Sequence, residues 1–163
     1  MIDAVDRRIL TILQQNARTP NAEIARQLGM AASAIHERIR KLEERGVVTG
    51  YAARLNARAV GRGLLAFVFV RTDEYVGAPD TAGLLAAIPE VQELHHVAGE
   101  DCFLVKVRVS DTEALGKLLR ERVGSIPTVR STRTTIVLET VKETTALDLG
   151  AENEREAVHG GGI

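Results

Sequence analysis

The fold of the N-terminal third of this chain is decided by residues 19–46, TPNAEIARQLGMAASAIHERIRKLEERG. Two short apolar stripes at helical spacing run through this stretch, and they consist of Ile24, Ala25 and Leu28, followed by Ile35, Ile39 and Leu42. Glycine often ends a helix, and Gly29 and Gly46 follow soon after the two stripes. Two short helices with only a few residues between them predict a helix-turn-helix.

A further helix is predicted upstream of this pair, and a short hairpin downstream. Asp3 is placed to cap the upstream helix, with Asp6 in its first turn and an apolar stripe of Val5, Ile9, Ile12 and Leu13. Thr19 and Pro20 stand where the N-cap and first turn of the next helix are expected. Thr49–Gly50 is a predicted turn between two short strands that would form a wing, Val47–Val48 and Tyr51–Ala53.

The apolar pattern changes from helical to strand spacing after residue 63. Four strands and two helices are predicted there: strand Leu64–Val70, a helix capped by Asp80, strands Val91–Val97 and Phe103–Val109, a helix opened by a capping box of Ser110 with Glu113, and strand Val129–Val141. This order of elements is the ferredoxin-like pattern. We therefore expect an α+β protein with an N-terminal winged helix-turn-helix and a C-terminal ferredoxin-like βαββαβ domain.

Charge is distributed unevenly along the 163 residues. Up to residue 60 there are ten basic and six acidic side chains, a net charge of +4, whereas the remainder has 11 basic and 16 acidic side chains, a net charge of −5. A basic first third favours a module that binds a polyanion, joined to one that does not. No apolar run approaches the length that crosses a bilayer, so we expect a cytoplasmic protein without a membrane partner.

Twelve short groups of residues, distributed along both halves of the chain, together form a recognisable pattern. They are Ile2-Asp3 with Asp6, Ile9-Leu10, Asn16-Ala17-Arg18, Glu23-Ile24-Ala25, Arg38-Ile39, Lys41-Leu42-Glu43, Gly46-Val47-Val48, Gly50-Tyr51, Val60-Gly61, Val97 with Gly99-Glu100-Asp101, Phe103-Leu104-Val105-Lys106-Val107, and Thr132 with Thr134 and Ile136-Val137-Leu138. Each string alone is weak, but the set in this order resembles the Lrp/AsnC family of bacterial and archaeal regulators. The resemblance covers roughly residues 2–149.

The resemblance implies a regulator of transcription with a defined plan of domains. Residues 1–53 would be the DNA-binding domain, 54–63 a linker, 64–149 the ligand-sensing and oligomerisation domain, and 150–163 a disordered tail. The implied partners are double-stranded DNA, an amino acid or similar small-molecule effector bound between subunits, and further copies of the chain. These copies would form a homodimer through their sheets and assemble further, as in an octamer.

The start of the predicted recognition helix departs from the family pattern. Where the family commonly has Ser-Pro, this chain has Ala31-Ala32. Alanine is a poor N-cap that costs about 1 kcal/mol relative to serine. The helix therefore begins either at these alanines or one turn later, with Ser33 as its cap.

Candidate DNA contacts lie on the outer face of this helix, opposite Ile35, Ile39 and Leu42. The candidates for base edges are Ser33, His36 and Glu37, and those for phosphates are Arg40 and Lys41, with Arg38 at the edge of the face. Outside this helix, Arg18 and Arg26 are secondary phosphate candidates. The alternative is that the charged run from Arg40 to Arg45 is only a solvated helix face.

Candidate effector contacts lie in the C-terminal half. A carboxylate such as Asp101 can accept from an ammonium group, and the Gly99–Asp101 turn offers backbone N–H groups to a carboxylate. The resemblance adds Thr132 and Thr134 of the last strand. The alternative is that Gly-Glu-Asp is only a tight turn and that the threonines are only good strand formers.

Enzymatic functions are disfavoured by the sequence. It contains no P-loop, H-E-x-x-H, C-x-x-C or G-x-S-x-G motif, so we expect no catalytic site, metal or cofactor. One enzyme class remains open, because sirohaem decarboxylases share this two-domain plan and use histidines of the C-terminal domain. His95 and His96 are the candidates, although consecutive residues of a strand point to opposite faces. An architectural protein that compacts DNA is a third alternative.

Overall fold

The chain divides into two compact units, Met1–Ala53 with Glu143–Ile163, and Arg54–Lys142. A computed structural model describes residues 2–73 and 79–150. The predicted disordered tail lies outside the described residues, apart from Gly150. Within the described ranges, no helix has the length and apolar character needed to cross a membrane.

The first unit contains the three expected helices, α1 (Ala4–Gln15), α2 (Asn21–Leu28) and α3 (Ala32–Glu44). Their buried side chains form one small core, made of Ile9, Ile24, Ala25, Ile35 and Ile39. These residues are members of the apolar stripes that the sequence shows at helical spacing. The predicted helix-turn-helix is confirmed, with α2 and α3 as its two helices.

A network of carboxylates and one guanidinium joins α1 to α3. Asp3 caps α1 as predicted, because the Asp6 N–H donates to Asp3 Oδ1 at 2.7 Å and the Asp3 N–H donates to Asp6 Oδ2 at 3.2 Å. Arg38 Nη1 donates to both carboxylates, at 2.7 Å to Asp3 and 2.8 Å to Asp6. The Asp6 backbone N–H, followed by Arg38, holds the pKa of Asp3 below its ordinary value. We refer to this network as the Arg38 clamp.

The start of α2 differs from the prediction by one residue. Pro20 is the N-cap position and the helix begins at Asn21. The Thr19 hydroxyl donates to the carbonyl of Asn16 at 2.8 Å and so does not cap α2. Gly29 ends the helix as expected, in the left-handed conformation that glycine adopts without a steric penalty.

The predicted wing is wrong: residues 47–55 contain no strand. The N–H groups of Val47 and Val48 donate to the carbonyl of Leu42, at 2.9 and 3.2 Å, and so complete the end of α3. A two-stranded hairpin that no third strand or helix supports is marginal in water, whereas these helix-end bonds are local.

Farther along, the Tyr51 hydroxyl donates to Glu43 at 2.8 Å. Burial, followed by this carboxylate, raises the pKa of Tyr51 to about 12.

A segment from the other end of the chain completes the first unit. Gln14 Nε2 donates to the carbonyl of Leu147 at 3.0 Å, and the Leu147 N–H donates back to Gln14 Oε1 at 2.7 Å. Arg7 Nη1 donates to the carbonyl of Leu149 at 3.0 Å. The sequence prediction assigned these residues to the C-terminal domain, but the structure groups residues 143–150 with the N-terminal unit. We call residues 143–150 the C-terminal arm.

The second unit is a four-stranded antiparallel sheet with two helices. Its elements are β1 (Leu64–Thr72), α4 (Thr81–Ala86), β2 (Val91–His96), β3 (Phe103–Val109), α5 (Thr112–Leu118), which a π-helical turn at Leu119–Val123 continues, and β4 (Val129–Ile136). The strands lie in the order β2-β3-β1-β4. This order confirms the ferredoxin-like fold.

The two faces of the sheet differ, because only one of them packs against the helices of this unit. Ala66, Val68 and Val70 of β1 belong to the core that includes Leu85 of α4 and Leu115 of α5. Alternation along a strand directs the residues between them to the other face, which we call the open face. Phe67 and Phe69 of β1 are half-buried apolar side chains on the open face. Leu104 of β3, which is paired with Phe69, is a third.

Two predicted features of this unit are corrected. The cap of α5 is Asp111, which accepts from the Ala114 N–H at 2.8 Å, and not the capping box of Ser110 with Glu113. Strand β4 ends at Ile136 and does not continue to Val141. In this register Leu64, the first residue of β1, lies opposite Leu138, so residues beyond 138 have no strand beside them to accept their hydrogen bonds.

We predict that the Arg38 clamp stabilises the first unit. Arg38→Met should lower its free energy of unfolding by about 1.5–3 kcal/mol, because Asp6, which is 7% exposed, would keep a buried carboxylate without its cation. Urea denaturation followed by far-UV circular dichroism measures this change. Because the pKa of Asp3 is lowered in the folded state, the clamp's contribution is present at neutral pH and is lost as the pH falls through that lowered value.

Arg45→Met is the matched control, since Arg45 is an exposed arginine just after the same helix. Equal denaturation midpoints for the two variants would show that the clamp contributes nothing beyond a surface charge.

Candidate DNA-binding surface and ligand site

The outer face of α3 is the candidate DNA-binding surface, and we call α3 the recognition helix. The side chains of Ile35, Ile39 and Leu42 are buried beneath it. Four of the predicted contacts are exposed on or beside the outer face, namely Ser33, His36, Arg40 and Lys41, and a fifth, Glu37, is half-buried. The fold therefore presents these five residues together on one surface.

The recognition helix begins at the first of the two alternatives. Ala31 is the N-cap position, it makes no side-chain cap bond, and Ser33 lies inside the first turn. The first N–H groups of a helix have no partner within it, and an uncapped start leaves them to water or to a phosphate oxygen. The alanine pair thus leaves the end of the helix that approaches base edges without a side-chain acceptor.

The charged side chains of the outer face are paired with one another. Arg40 donates to both oxygens of Glu37, from Nε at 2.9 Å and from Nη2 at 2.7 Å, and it also donates to Glu44. Lys41 Nζ lies 3.4 Å from Glu37. These cations, Arg40 first, lower the pKa of Glu37 to about 2, so Glu37 is ionised at any physiological pH.

This pairing defines what the surface can do chemically. Exposed ion pairs within a helix contribute little to stability, so a phosphate can replace Glu37 as the partner of Arg40 and Lys41 at small cost. The carboxylate of Glu37 is then released toward bases, where carboxylates accept from cytosine N4. The same three residues can therefore serve both as phosphate contacts and as a base contact.

The three remaining arginine candidates differ in what they contact. Arg38 is held in the clamp to α1, and we interpret it as a residue that positions the recognition helix. Arg26 donates to Glu23 at 2.9 and 2.6 Å, and this pair lowers the pKa of Glu23 to about 2. Arg18 is exposed in the turn before α2.

A cleft beside the recognition helix brings in residues that the sequence analysis did not select. It is lined by Leu13, Ala17, Thr19, Asn21, His36, Ile39, Arg40, Glu43 and Tyr51. Nδ2 of Asn21 lies 3.4 Å from Nδ1 of His36, within donating distance. Neither Asn21 nor Tyr51 is part of the apolar pattern, and only the packing of α2 and the post-helix segment against α3 places them here.

The second predicted site is at the turn between β2 and β3. Gly99 has φ of 141°, in the region that favours glycine, and precedes Glu100 and Asp101 in this turn. Arg133 Nη2 donates to Asp101 Oδ2 at 3.0 Å. The guanidinium carbon of Arg133 lies 3.9 Å from the centre of the Phe69 ring, which is a cation–π contact. The predicted ammonium-binding carboxylate thus has a cation of the same chain as its partner.

The structure does not bring all the predicted effector residues to one face. Thr132 is paired with Val70 and Thr134 with Val68, so both threonines are directed to the face that carries the helices. Arg133 lies between them and is directed to the open face, over Phe69. The sequence analysis selected the threonines and missed the arginine, although strand alternation shows that they cannot share a face.

Each of the two histidines of β2 contacts one neighbouring side chain of the sheet. His95 Nε2 lies 3.5 Å from Glu93, and the His96 ring stacks on Phe103 with centroids 5.0 Å apart. Both histidines are exposed. Among residues 2–73 and 79–150, no three His, Cys, Asp or Glu side chains are grouped to hold a metal ion.

A helix-turn-helix with an exposed second helix, followed by a ferredoxin-like domain, is the plan of a two-domain DNA-binding regulator of transcription. Two family models match this chain in the same order. The model for the AsnC-type helix-turn-helix domain matches residues 2–43, and the model for the Lrp/AsnC ligand binding domain matches residues 65–147. The chain belongs to the Lrp/AsnC family.

Individual relatives agree with this assignment over nearly their whole length. The chain is 40% identical to the HTH-type transcriptional regulator FL11 of Pyrococcus horikoshii, across 91% of this chain and 97% of the relative. It is 38% identical to the leucine-responsive regulatory protein of Salmonella typhimurium, across 90% of each. Among solved structures, the feast or famine regulatory protein Rv3291c of M. tuberculosis, complexed with L-methionine, is 37% identical with a TM-score of 0.83, covering 90% and 99% of the two chains.

We predict opposite effects on DNA binding for the two members of the Glu37–Arg40 pair. Arg40→Ala should weaken binding to every DNA sequence and reduce the salt slope by about one unit, because one phosphate contact is lost. Glu37→Gln should strengthen binding to DNA of unrelated sequence by about two- to fivefold, because Arg40 and Lys41 lose their internal competitor. Fluorescence anisotropy across a series of salt concentrations measures both quantities.

Lys117→Ala is the control, since Lys117 is an exposed lysine of α5, outside the first unit. If Glu37→Gln leaves binding to unrelated DNA unchanged while Arg40→Ala weakens it, then the carboxylate does not compete with phosphate.

Proposed function

We propose that this protein regulates transcription by binding a symmetric DNA site as a homodimer, under the control of an amino acid effector. The observation that carries the proposal is the recognition helix, which presents polar and charged side chains on one surface above a buried apolar face. Ser33, His36 and Glu37 are the proposed base contacts. Arg40 and Lys41 are the proposed phosphate contacts, with Arg18 and Arg26 as secondary candidates. Arg38, which the sequence also offered as a phosphate contact, is proposed instead to position the helix.

The homodimer is supported by the open face of the second unit. One helix-turn-helix covers only half of a typical operator, so two copies are needed to read a symmetric site. Phe67, Phe69 and Leu104 are half-buried apolar side chains on the face opposite the helices. Two such faces packed together would remove these side chains from water, and further contacts between dimers would give larger assemblies such as an octamer.

An amino acid effector at the turn between β2 and β3 is the second part of the proposal. The carboxylate of Asp101 suits an ammonium group, and the turn that begins at Gly99 offers backbone N–H groups. The complex of Rv3291c with L-methionine supports an effector of this class. Thr132 and Thr134 stay predicted contacts. A site close to the open face would let the ligand change the assembly and with it the spacing of the recognition helices.

We infer that the protein acts in the cytoplasm, together with the DNA that it binds, and that it is not an enzyme. The competing enzyme is the sirohaem decarboxylase. In that case His95 and His96 would take the role of the histidines that this enzyme uses. A visible absorption band that follows titration with a tetrapyrrole, together with loss of its carboxylates, would support that enzyme and contradict the regulator.

A genome-wide map of binding sites tests the function directly. The expected result is a limited number of sites near promoters that share a symmetric sequence, with half-sites about one or two helical turns apart. Binding spread in proportion to accessible DNA, with no shared sequence, would instead identify an architectural protein.

We predict that Phe67→Glu separates the dimer into monomers. The substitution places a carboxylate in the middle of the proposed sheet-to-sheet contact, where the cost of removing its charge from water opposes association. Sedimentation at micromolar concentration should show the monomer mass, and affinity for the symmetric DNA site should fall because the two half-sites are no longer linked.

Leu84→Glu is the control, because Leu84 is also an apolar side chain given a charge, but it lies exposed on α4. Dimers that persist in Phe67→Glu, with circular dichroism like that of the unaltered protein, would place the interface elsewhere.

A further inference from the structure

The imidazole ring of His36 on the recognition helix is contacted by a side chain of the preceding helix. Asn21 Nδ2 lies 3.4 Å from His36 Nδ1. We propose that Asn21 is a positioning residue for DNA recognition: its amide holds His36 in the tautomer with hydrogen on Nε2, so that His36 donates to guanine in the major groove. The inference rests on the proposed function, because it assigns a hydrogen-bonding role and a base to one of the proposed base contacts.

The packing of α2 against α3 fixes this contact. Ile24 and Ala25 of α2 belong to the same core as Ile35 of α3. Asn21 precedes Ile24 and Ala25 by three and four positions, so it lies on the face of α2 that packs against α3. Asn21 is half-buried, whereas His36, which directly follows Ile35, is exposed. The amide therefore comes from the body of the fold, and the ring lies on its surface.

The direction of the hydrogen bond follows from the chemistry of the two groups. The amide nitrogen of asparagine donates and does not accept, so the contact requires Nδ1 of His36 to be the acceptor. A neutral imidazole carries one hydrogen, and the bond made by one ring nitrogen determines the state of the other. The hydrogen is therefore on Nε2, at the end of the ring farther from the backbone, and His36 presents a donor.

The charged neighbours of His36 in the cleft have partners of their own. Arg40 donates to both oxygens of Glu37, at 2.9 and 2.7 Å. Glu43 accepts from the Tyr51 hydroxyl at 2.8 Å. A carboxylate beside Nδ1 would draw a hydrogen onto that nitrogen, whereas an amide N–H excludes one. The choice of an amide at this position therefore decides which ring nitrogen donates.

A donor on His36 favours guanine over the other three bases. In the major groove guanine presents two acceptors, N7 and O6, and no donor. Adenine presents a donor beside its N7, cytosine presents a donor, and thymine places a methyl group beside O4. His36 stands at the start of the second turn of α3, within the N-terminal part of a recognition helix that meets base edges.

Another residue of α2 supplies a matched control. Gln27 Nε2 donates to Glu23 at 2.8 Å, so this amide bonds within its own helix and not to the recognition helix. Gln27→Leu and Asn21→Leu each replace a side-chain amide of α2 by an apolar group and remove one hydrogen bond. Only Asn21→Leu removes the contact with His36.

NMR of the histidine ring nitrogens in the full chain tests the tautomer. Spectra recorded at about pH 8, where an ordinary imidazole is neutral, distinguish a nitrogen that carries hydrogen from one that does not. His36→Ala identifies the signals of this ring. We expect hydrogen on Nε2 alone in the unaltered protein and in Gln27→Leu. Asn21→Asp should place a hydrogen on Nδ1, because a carboxylate can only accept.

Base recognition is tested on a DNA duplex that the unaltered protein selects from a random library. Each guanine of this duplex is replaced in turn by 7-deazaguanine, which lacks N7 and keeps its base pairing. One replacement in each half-site should weaken binding of the unaltered protein and of Gln27→Leu by about three- to tenfold, the effect of one lost hydrogen bond. His36→Ala should abolish this penalty, and Asn21→Leu should reduce it to about twofold or less, since the ring is no longer held.

The outcomes separate the inference from the proposed function. A purely structural role for Asn21 would weaken binding of Asn21→Leu to all duplexes by one factor and leave the 7-deazaguanine penalty unchanged, which would overturn the inference alone. Hydrogen on Nδ1 in the unaltered protein, or one ring state shared by the unaltered protein and Asn21→Asp, would also overturn it. If the unaltered protein selected no shared sequence, the sequence-specific regulator and the inference would both be wrong.

Discussion

The position of the recognition helix depends on the contact between one guanidinium and two carboxylates at the start of α1. Asp3 and Asp6 satisfy each other's backbone N–H groups, and Arg38 of α3 donates to both side chains. Because a capped helix start is rigid, the arginine has a fixed anchor rather than a mobile surface charge. The same helix therefore has one charged residue that holds it to α1 and others, on its outer face, that are available to DNA.

The helices were predictable from the sequence because their signals are local. The stripe that contains Ile35 and Ile39, and the cap formed by Asp3, are set by residues within a few positions of each other. The prediction of the wing was wrong because a hairpin and the end of α3 compete for the same N–H groups of Val47 and Val48. In the structure these groups donate to the end of α3. The predicted end of β4 was wrong for a non-local reason, since the length of this strand is limited by where its neighbour β1 begins.

The candidate sites were predictable to a smaller extent. The residues of the recognition helix follow from its buried face, and the spacing of Glu37 and Arg40 already permits their ion pair. Arg133 was missed because its partner depends on the strand order β2-β3-β1-β4, which alternation alone does not give. Asp101 was selected correctly as a residue with a charged role, but its cation comes from a strand that is not its neighbour in sequence.

The C-terminal arm makes the DNA-binding unit discontinuous in sequence, and this has a consequence for synthesis of the protein. Gln14 and Leu147 exchange two hydrogen bonds although they are 133 positions apart. A nascent chain emerges from the ribosome with α1 first, but the arm follows only after the whole second unit. The contacts of α1 are therefore completed last, and a chain still attached to the ribosome has a DNA-binding unit without its final segment.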